Sequence, residues 1–85
     1  MKIQIRYFAS VREAVGQSEE WIELPPSVDT VGAVRAHLCA RGGAWAQALG
    51  SDRPLRMAYA HQMTDPETPI EEGGEVAFFP PVTGG

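Results

Sequence analysis

Lysine is almost missing from this chain. Its 85 residues hold one, Lys2, and the arginines stand singly rather than in clusters, against a formal net charge of -4. Nucleic-acid binding needs cations grouped to neutralise phosphates, so that function class is excluded. The anionic balance suits protein partners that are basic around their docking site. Cysteine is as scarce: with Cys39 alone, no internal disulfide can form and no multi-cysteine metal site exists. The two histidines, His37 and His61, lack ligand-type spacing, so no metal is expected. No apolar run reaches membrane-spanning length, and Met1–Lys2 leads directly into strand-like alternation without an apolar signal core. A cytoplasmic protein without membrane contact is expected.

Length sets a further bound. A chain this short buries only about 60% of the surface it exposes when unfolded, which allows one domain and one modest core but no deep, self-contained active site. Hydrophobic residues at 44% and charged residues at 21% are ordinary for a folded globule. No Ser-His-Asp order, phosphate loop or paired-carboxylate site can be assembled, and Gly73–Gly74 beside Glu71–Glu72 reads as a solvated turn.

What is present is a clear alternation of periods. Ile3, Ile5 and Tyr7 alternate with polar neighbours, predicting a strand with one buried face and Phe8 opposite Tyr7. Ser10 and Glu13 have the S-x-x-E spacing of a capping box, predicting a short helix that ends at Gly16. Glu20, Ile22 and Leu24 alternate with Glu19, Trp21 and Glu23, a second strand that pairs antiparallel on the first and is stopped by Pro25–Pro26.

Thr30 is a plausible N-cap for a helix with the stripe Val31, Val34, Leu38, which Gly42–Gly43 ends. Cys39 lies at the edge of that stripe, as a small, partly buried core residue; Arg35 one turn away leaves a minor redox role open. A shorter helical piece carries Trp45 and Leu49 and stops at Gly50. Leu55, Met57 and Tyr59 form a third strand. His61 to Pro69 reads as a turn with at most a short edge strand before it, and Gly73–Gly74 turns into a last strand with Val76 and Phe78 on one face and Ala77 and Phe79 on the other. This order of strand, strand, helix and strands predicts an α+β fold: a β-grasp mixed sheet with one main crossover helix, its first and last strands parallel at the centre.

The chain ends Phe78-Phe79-Pro80-Pro81-Val82-Thr83-Gly84-Gly85, with no charged side chain after Glu75. Pro80 and Pro81 hold the root extended, Val82 and Thr83 add only short β-branched groups, and Gly84–Gly85 can thread a channel too narrow for side chains. A carboxylate is inert until its oxygen becomes a leaving group, and adenylation by ATP is the general way to achieve that. The division expected is a β-grasp domain over 1–81 and a flexible Gly-Gly tail over 82–85.

That ending, with Arg6-Tyr7-Phe8-Ala9-Ser10-Val11-Arg12-Glu13 near the start, resembles the small, sulfur-carrying subunits of molybdopterin synthase over nearly the whole chain. The resemblance implies the same β-grasp fold and a defined cycle. A ubiquitin-activating-like adenylyltransferase adenylates Gly85 with ATP, and a persulfide-bearing sulfurtransferase or cysteine desulfurase supplies sulfur. The Gly85 thiocarboxylate then enters the large synthase subunit, in a heterotetramer, and gives its sulfur to cyclic pyranopterin monophosphate. No cofactor is permanently bound, and the chain is not catalytic alone. Carried over by position, Gly85 is the reacting residue; Pro80, Pro81, Val82, Thr83 and Gly84 are the channel tail; Phe8, Phe79 and Arg12 are the partner surface. Ala60 stands where relatives often have Asn, and Gly74 where Asp commonly precedes Glu-Val. Fold and Gly-Gly are shared with carriers that serve thiamin, cysteine or tRNA thiolation and with ubiquitin-like protein modifiers. The Phe-Phe-Pro-Pro-Val-Thr root favours the pterin pathway among these.

Overall fold

The computed structural model describes residues 1–81. Strand β1 (Lys2–Tyr7) is followed by α1 (Ala9–Val15), β2 (Glu19–Glu23), α2 (Val31–Cys39), α3 (Gly43–Leu49), β3 (Arg56–Tyr59), β4 (Gln62–Thr64) and β5 (Glu75–Phe79). The five strands form one sheet in the order β2-β1-β5-β3-β4. β1 and β5 are parallel at its centre, and the other neighbours are antiparallel. Parallel neighbours need a crossover, which the helical segment supplies from one side of the sheet. This is the β-grasp arrangement.

Register decides which side chains make the core. Ile5 lies beside Val76, Tyr7 beside Phe78, and Phe78 beside Met57. These residues share a face with Ile3 and Ile22 and pack against Val31, Val34 and Leu38 of α2 and Leu49 of α3. Phe78 and the α2 stripe are fully buried, so each contributes about 1.5–3 kcal/mol of transfer free energy. Thr30 caps α2 as its spacing predicts, its hydroxyl accepting from Ala33 N–H at 3.1 Å.

Two local expectations are corrected. The Ser10–Glu13 capping box does not form: the cap of α1 is Phe8, without a side-chain cap bond. Phe8 N–H still donates to Phe78 O of β5 at 3.2 Å while Phe8 O accepts from Val11 and Arg12 N–H. Strand therefore becomes helix across one residue, Phe8, with Ala9 at the start of α1 at φ 52°. The Gly42–Gly43 pair does not end α2, which stops at Cys39 with Ala40 as its cap. It opens α3, with both glycines at positive φ to turn the chain round. The short edge strand that the His61–Pro69 stretch allows does form, as β4, reached by a two-residue turn at Ala60–His61, both at positive φ.

Candidate functional site

β5 is held by β1 on one side and β3 on the other, so Pro80 and Pro81 leave from the central strand, which is paired along both edges. Proline cannot donate to a ladder, which ends pairing at Phe79 and releases the chain. Pro80 is half-buried and Pro81 exposed, and together they border a cleft of about 340 Å³ between α1, α3 and the start of β3. Val82, Thr83, Gly84 and Gly85 lie outside the described residues.

Beside this exit is the sheet face that the helices leave uncovered. The Phe8 and Phe79 rings meet edge to face, centroids 6.4 Å apart at 89°, a favourable aromatic geometry. Three large apolar side chains are markedly exposed among the described residues, Phe8 (39%), Trp21 (54%) and Met63 (57%), and all three belong to this face. Met63 lies across from Ala58, which lies across from Ala77, so a low strip of two alanines joins Met63 to the centre of the sheet. Sequence reasoning missed Met63, because a three-residue strand offers no period from which to read a face. Arg12 is exposed on α1, one turn beyond Phe8; its guanidinium makes no hydrogen bond or ion pair among the described residues. Arg6, on the uncovered face, has its guanidinium carbon 5.5 Å from the Phe8 ring centroid.

The opposite face carries a polar clasp. Tyr7 O–H donates to Glu20 Oε2 at 2.8 Å and accepts from Trp45 Nε1–H at 3.3 Å. Arg41 gives Glu20 two further bonds at 2.9 and 3.1 Å and lies over the Trp45 ring at 5.0 Å. Burial pushes the Glu20 carboxyl up, but the Arg41 bonds, the Tyr7 hydroxyl and the Arg41 charge outweigh it and hold the group below its ordinary value. Burial chiefly raises the Tyr7 phenol, and the bond to Glu20 raises Arg41. These three groups are thereby locked in their usual charge states, which suits fastening α2 and α3 to the sheet and not proton transfer.

No group of three or more metal-capable side chains occurs among the described residues. Cys39 and His37 are half-buried, and His61 is exposed, 3.6 Å from Glu75. No described helix is long and apolar enough to cross a membrane.

Comparison with known proteins agrees with this geometry. The family model described as "ThiS family" matches residues 5–85. The molybdopterin synthase sulfur carrier subunit of Escherichia coli K12 is 42% identical over 83 residues, 98% of this chain and 99% of that protein. That of Haemophilus influenzae is 39% identical over the same shares. Among solved structures, a complex of subunits 1 and 2 of the molybdopterin-converting factor from Helicobacter pylori contains a chain with a TM-score of 0.69 at 22% identity, covering 100% of both chains, a likeness of fold. The chain therefore belongs to the ThiS family, among the molybdopterin synthase sulfur carrier subunits.

Proposed function

We propose that this chain is the sulfur carrier of a molybdopterin synthase, with Gly85 as the residue that is loaded and unloaded. One observation carries the reading: the central strand β5 ends in Phe79-Pro80-Pro81 directly beside the uncovered Phe8–Phe79–Met63 face. A partner seated on that face receives the tail's root at a fixed place. Four residues beyond Pro81 span at most roughly 13–14 Å, so the partner's reacting centre lies within that reach.

The chemistry balances without a base in this domain. The Gly85 carboxylate attacks the α-phosphorus of ATP and pyrophosphate leaves. The terminal sulfur of a persulfide displaces AMP and forms a C–S bond to Gly85. A thiol then attacks the donor's inner sulfur, cleaving the persulfide's original S–S bond, so that the donor leaves as a disulfide and the glycine thiocarboxylate remains. This group is ionised and nucleophilic near neutral pH. After its sulfur passes to cyclic pyranopterin monophosphate, hydrolysis of the acyl link restores the carboxylate. The partners are an adenylyltransferase, a persulfide donor and the large synthase subunit, two copies of each synthase subunit making a heterotetramer in the cytoplasm where ATP is available. Phe8, Phe79, Met63 and Arg12 form the docking surface, and Pro80 to Gly84 the tail that fills the channel.

The test is the intact mass after incubation with ATP, the adenylyltransferase and the sulfur donor. Wild type exchanges one oxygen for sulfur, and a chain lacking Gly85 does not. Transfer of that sulfur to the pterin precursor on addition of the large subunit assigns the pathway. No exchange with a competent activating enzyme refutes the carrier reading, and isopeptide-linked conjugates instead of a thiocarboxylate assign a protein modifier.

A further inference from the structure

Strand register places Arg6 in the middle of the uncovered face, in the row Glu19–Arg6–Ala77–Ala58–Met63 that crosses all five strands. Phe8 and Phe79 rise beside that row, with Arg56 across from Phe79. The two alanines make a floor between the aromatic pair and Met63. Around it the nearby carboxylates already have partners within the chain. Glu19, directly across from Arg6, is taken by the Gln4 amide, and Glu75 is paired with His61. Arg6 has no ion pair among the described residues, and its guanidinium rests on Phe8.

One atom makes this more than a cationic surface. Arg6 Nε is buried and has no hydrogen-bond acceptor. A desolvated N–H without a partner is costly, and buried donors in folded proteins nearly always find one. No acceptor comes from the described residues of its own chain. The geometry points to an acceptor from the docking partner: an Asp or Glu side chain that draws the Arg6 guanidinium out from beside Phe8 and so opens Nε to itself, next to an apolar side chain seated on the Ala77–Ala58 floor. The planar guanidinium suits a carboxylate, to which it can give two parallel bonds in a site dried by the neighbouring aromatics. Although the whole chain is anionic, its docking face thus selects an acidic partner patch, and Arg6 determines that specificity. This rests on the docking reading given above.

The experiment measures association of the full chain with the large synthase subunit, together with thermal unfolding of the free chain, for wild type, Arg6→Gln, Arg6→Lys and Phe79→Ser. Arg6→Gln is expected to weaken association roughly 30-fold or more, mainly through faster dissociation, because it strands a partner carboxylate. The free chain should unfold at the same or a higher temperature, since a dry, unpaired donor has been removed. Arg6→Lys should restore association only in part. Replacing the partner's interface acids by amides, one at a time, should identify one whose loss matches that of Arg6→Gln and adds nothing to it. A loss under tenfold for Arg6→Gln while Phe79→Ser abolishes binding overturns the inference and leaves the docking reading standing. Destabilisation of the free chain by Arg6→Gln overturns it by making the role structural, and so does the absence of any partner acid coupled to Arg6. Binding unaffected by Phe79→Ser overturns the docking reading itself, and the inference with it.

Discussion

Replacing Tyr7 by Phe removes one oxygen from the clasp between the sheet and the two packed helices, and the structure allows its cost to be worked out. The hydroxyl makes a charge-assisted bond to Glu20 at 2.8 Å and receives a weaker one from Trp45 at 3.3 Å. The first is worth roughly 1.5–3 kcal/mol and the second about 0.5 kcal/mol. Glu20 keeps both bonds from Arg41, and the half-buried indole N–H regains some water, so the net loss at neutral pH is about 2 kcal/mol. For a domain of this size that lowers the midpoint by roughly 10 °C. The pH dependence follows from the depressed Glu20 carboxyl. Its contribution is complete above the usual carboxylate range and is lost as the pH falls through the lowered folded-state value. Tyr7→Phe removes one of the interactions that depress it, so the variant loses less on acidification and its deficit shrinks in acid. Urea unfolding followed by far-ultraviolet circular dichroism across that range measures both effects. A deficit below about 0.5 kcal/mol at neutral pH, or one that does not change in acid, refutes the account.

Two further predictions concern Gly74 and Ala60. A Cβ at Gly74 would lie 2.8 Å from two carbons of the Tyr59 ring, whose hydroxyl accepts from Glu71 N–H at 2.7 Å. Gly74→Asp should therefore cost about 2 kcal/mol here, and Tyr59→Val in the same chain should recover at least about 1 kcal/mol of it, measured as a double-mutant cycle in urea. Ala60 has φ 52° in the β3–β4 turn, where Asn is better tolerated, so Ala60→Asn should raise stability by about 0.5–1 kcal/mol in the same assay.

Most of the framework was legible because long-range packing agreed with local period. Ile3, Ile5 and Tyr7, the α2 stripe Val31, Val34 and Leu38, and the pair Val76 and Phe78 are all buried on the predicted faces. The Phe8–Phe79 contact followed from placing β1 beside β5 in parallel. Illegible features depend on partners distant in sequence or on competition between bonds. The Ser10 cap failed because Phe8 stays bonded to β5, and nothing within the S-x-x-E spacing reports that bond. The clasp joins Tyr7 to Trp45, 38 positions away, through side chains whose meeting requires the finished sheet. At Gly74, where the resemblance implies an Asp, Tyr59 of the neighbouring hairpin occupies the space a side chain would need, and nothing local to Gly74 reports it. Arg6 carries no signal of its own in the sequence, because only the register shows Glu19 beside it already engaged.

The position of β5 also has a mechanical consequence. A partner that draws the C-terminus into a channel pulls along the axis of β5 at Pro81. On an edge strand such as β4, that load would open the ladder one bond at a time. In the centre it acts in shear on both ladders, from Gln4↔Glu75 to Tyr7↔Phe78 on one side and from Arg56↔Phe79 to Tyr59↔Val76 on the other, so many bonds must yield together. Sheet order thus makes the tail a handle by which the domain can be gripped, loaded and released without being unravelled.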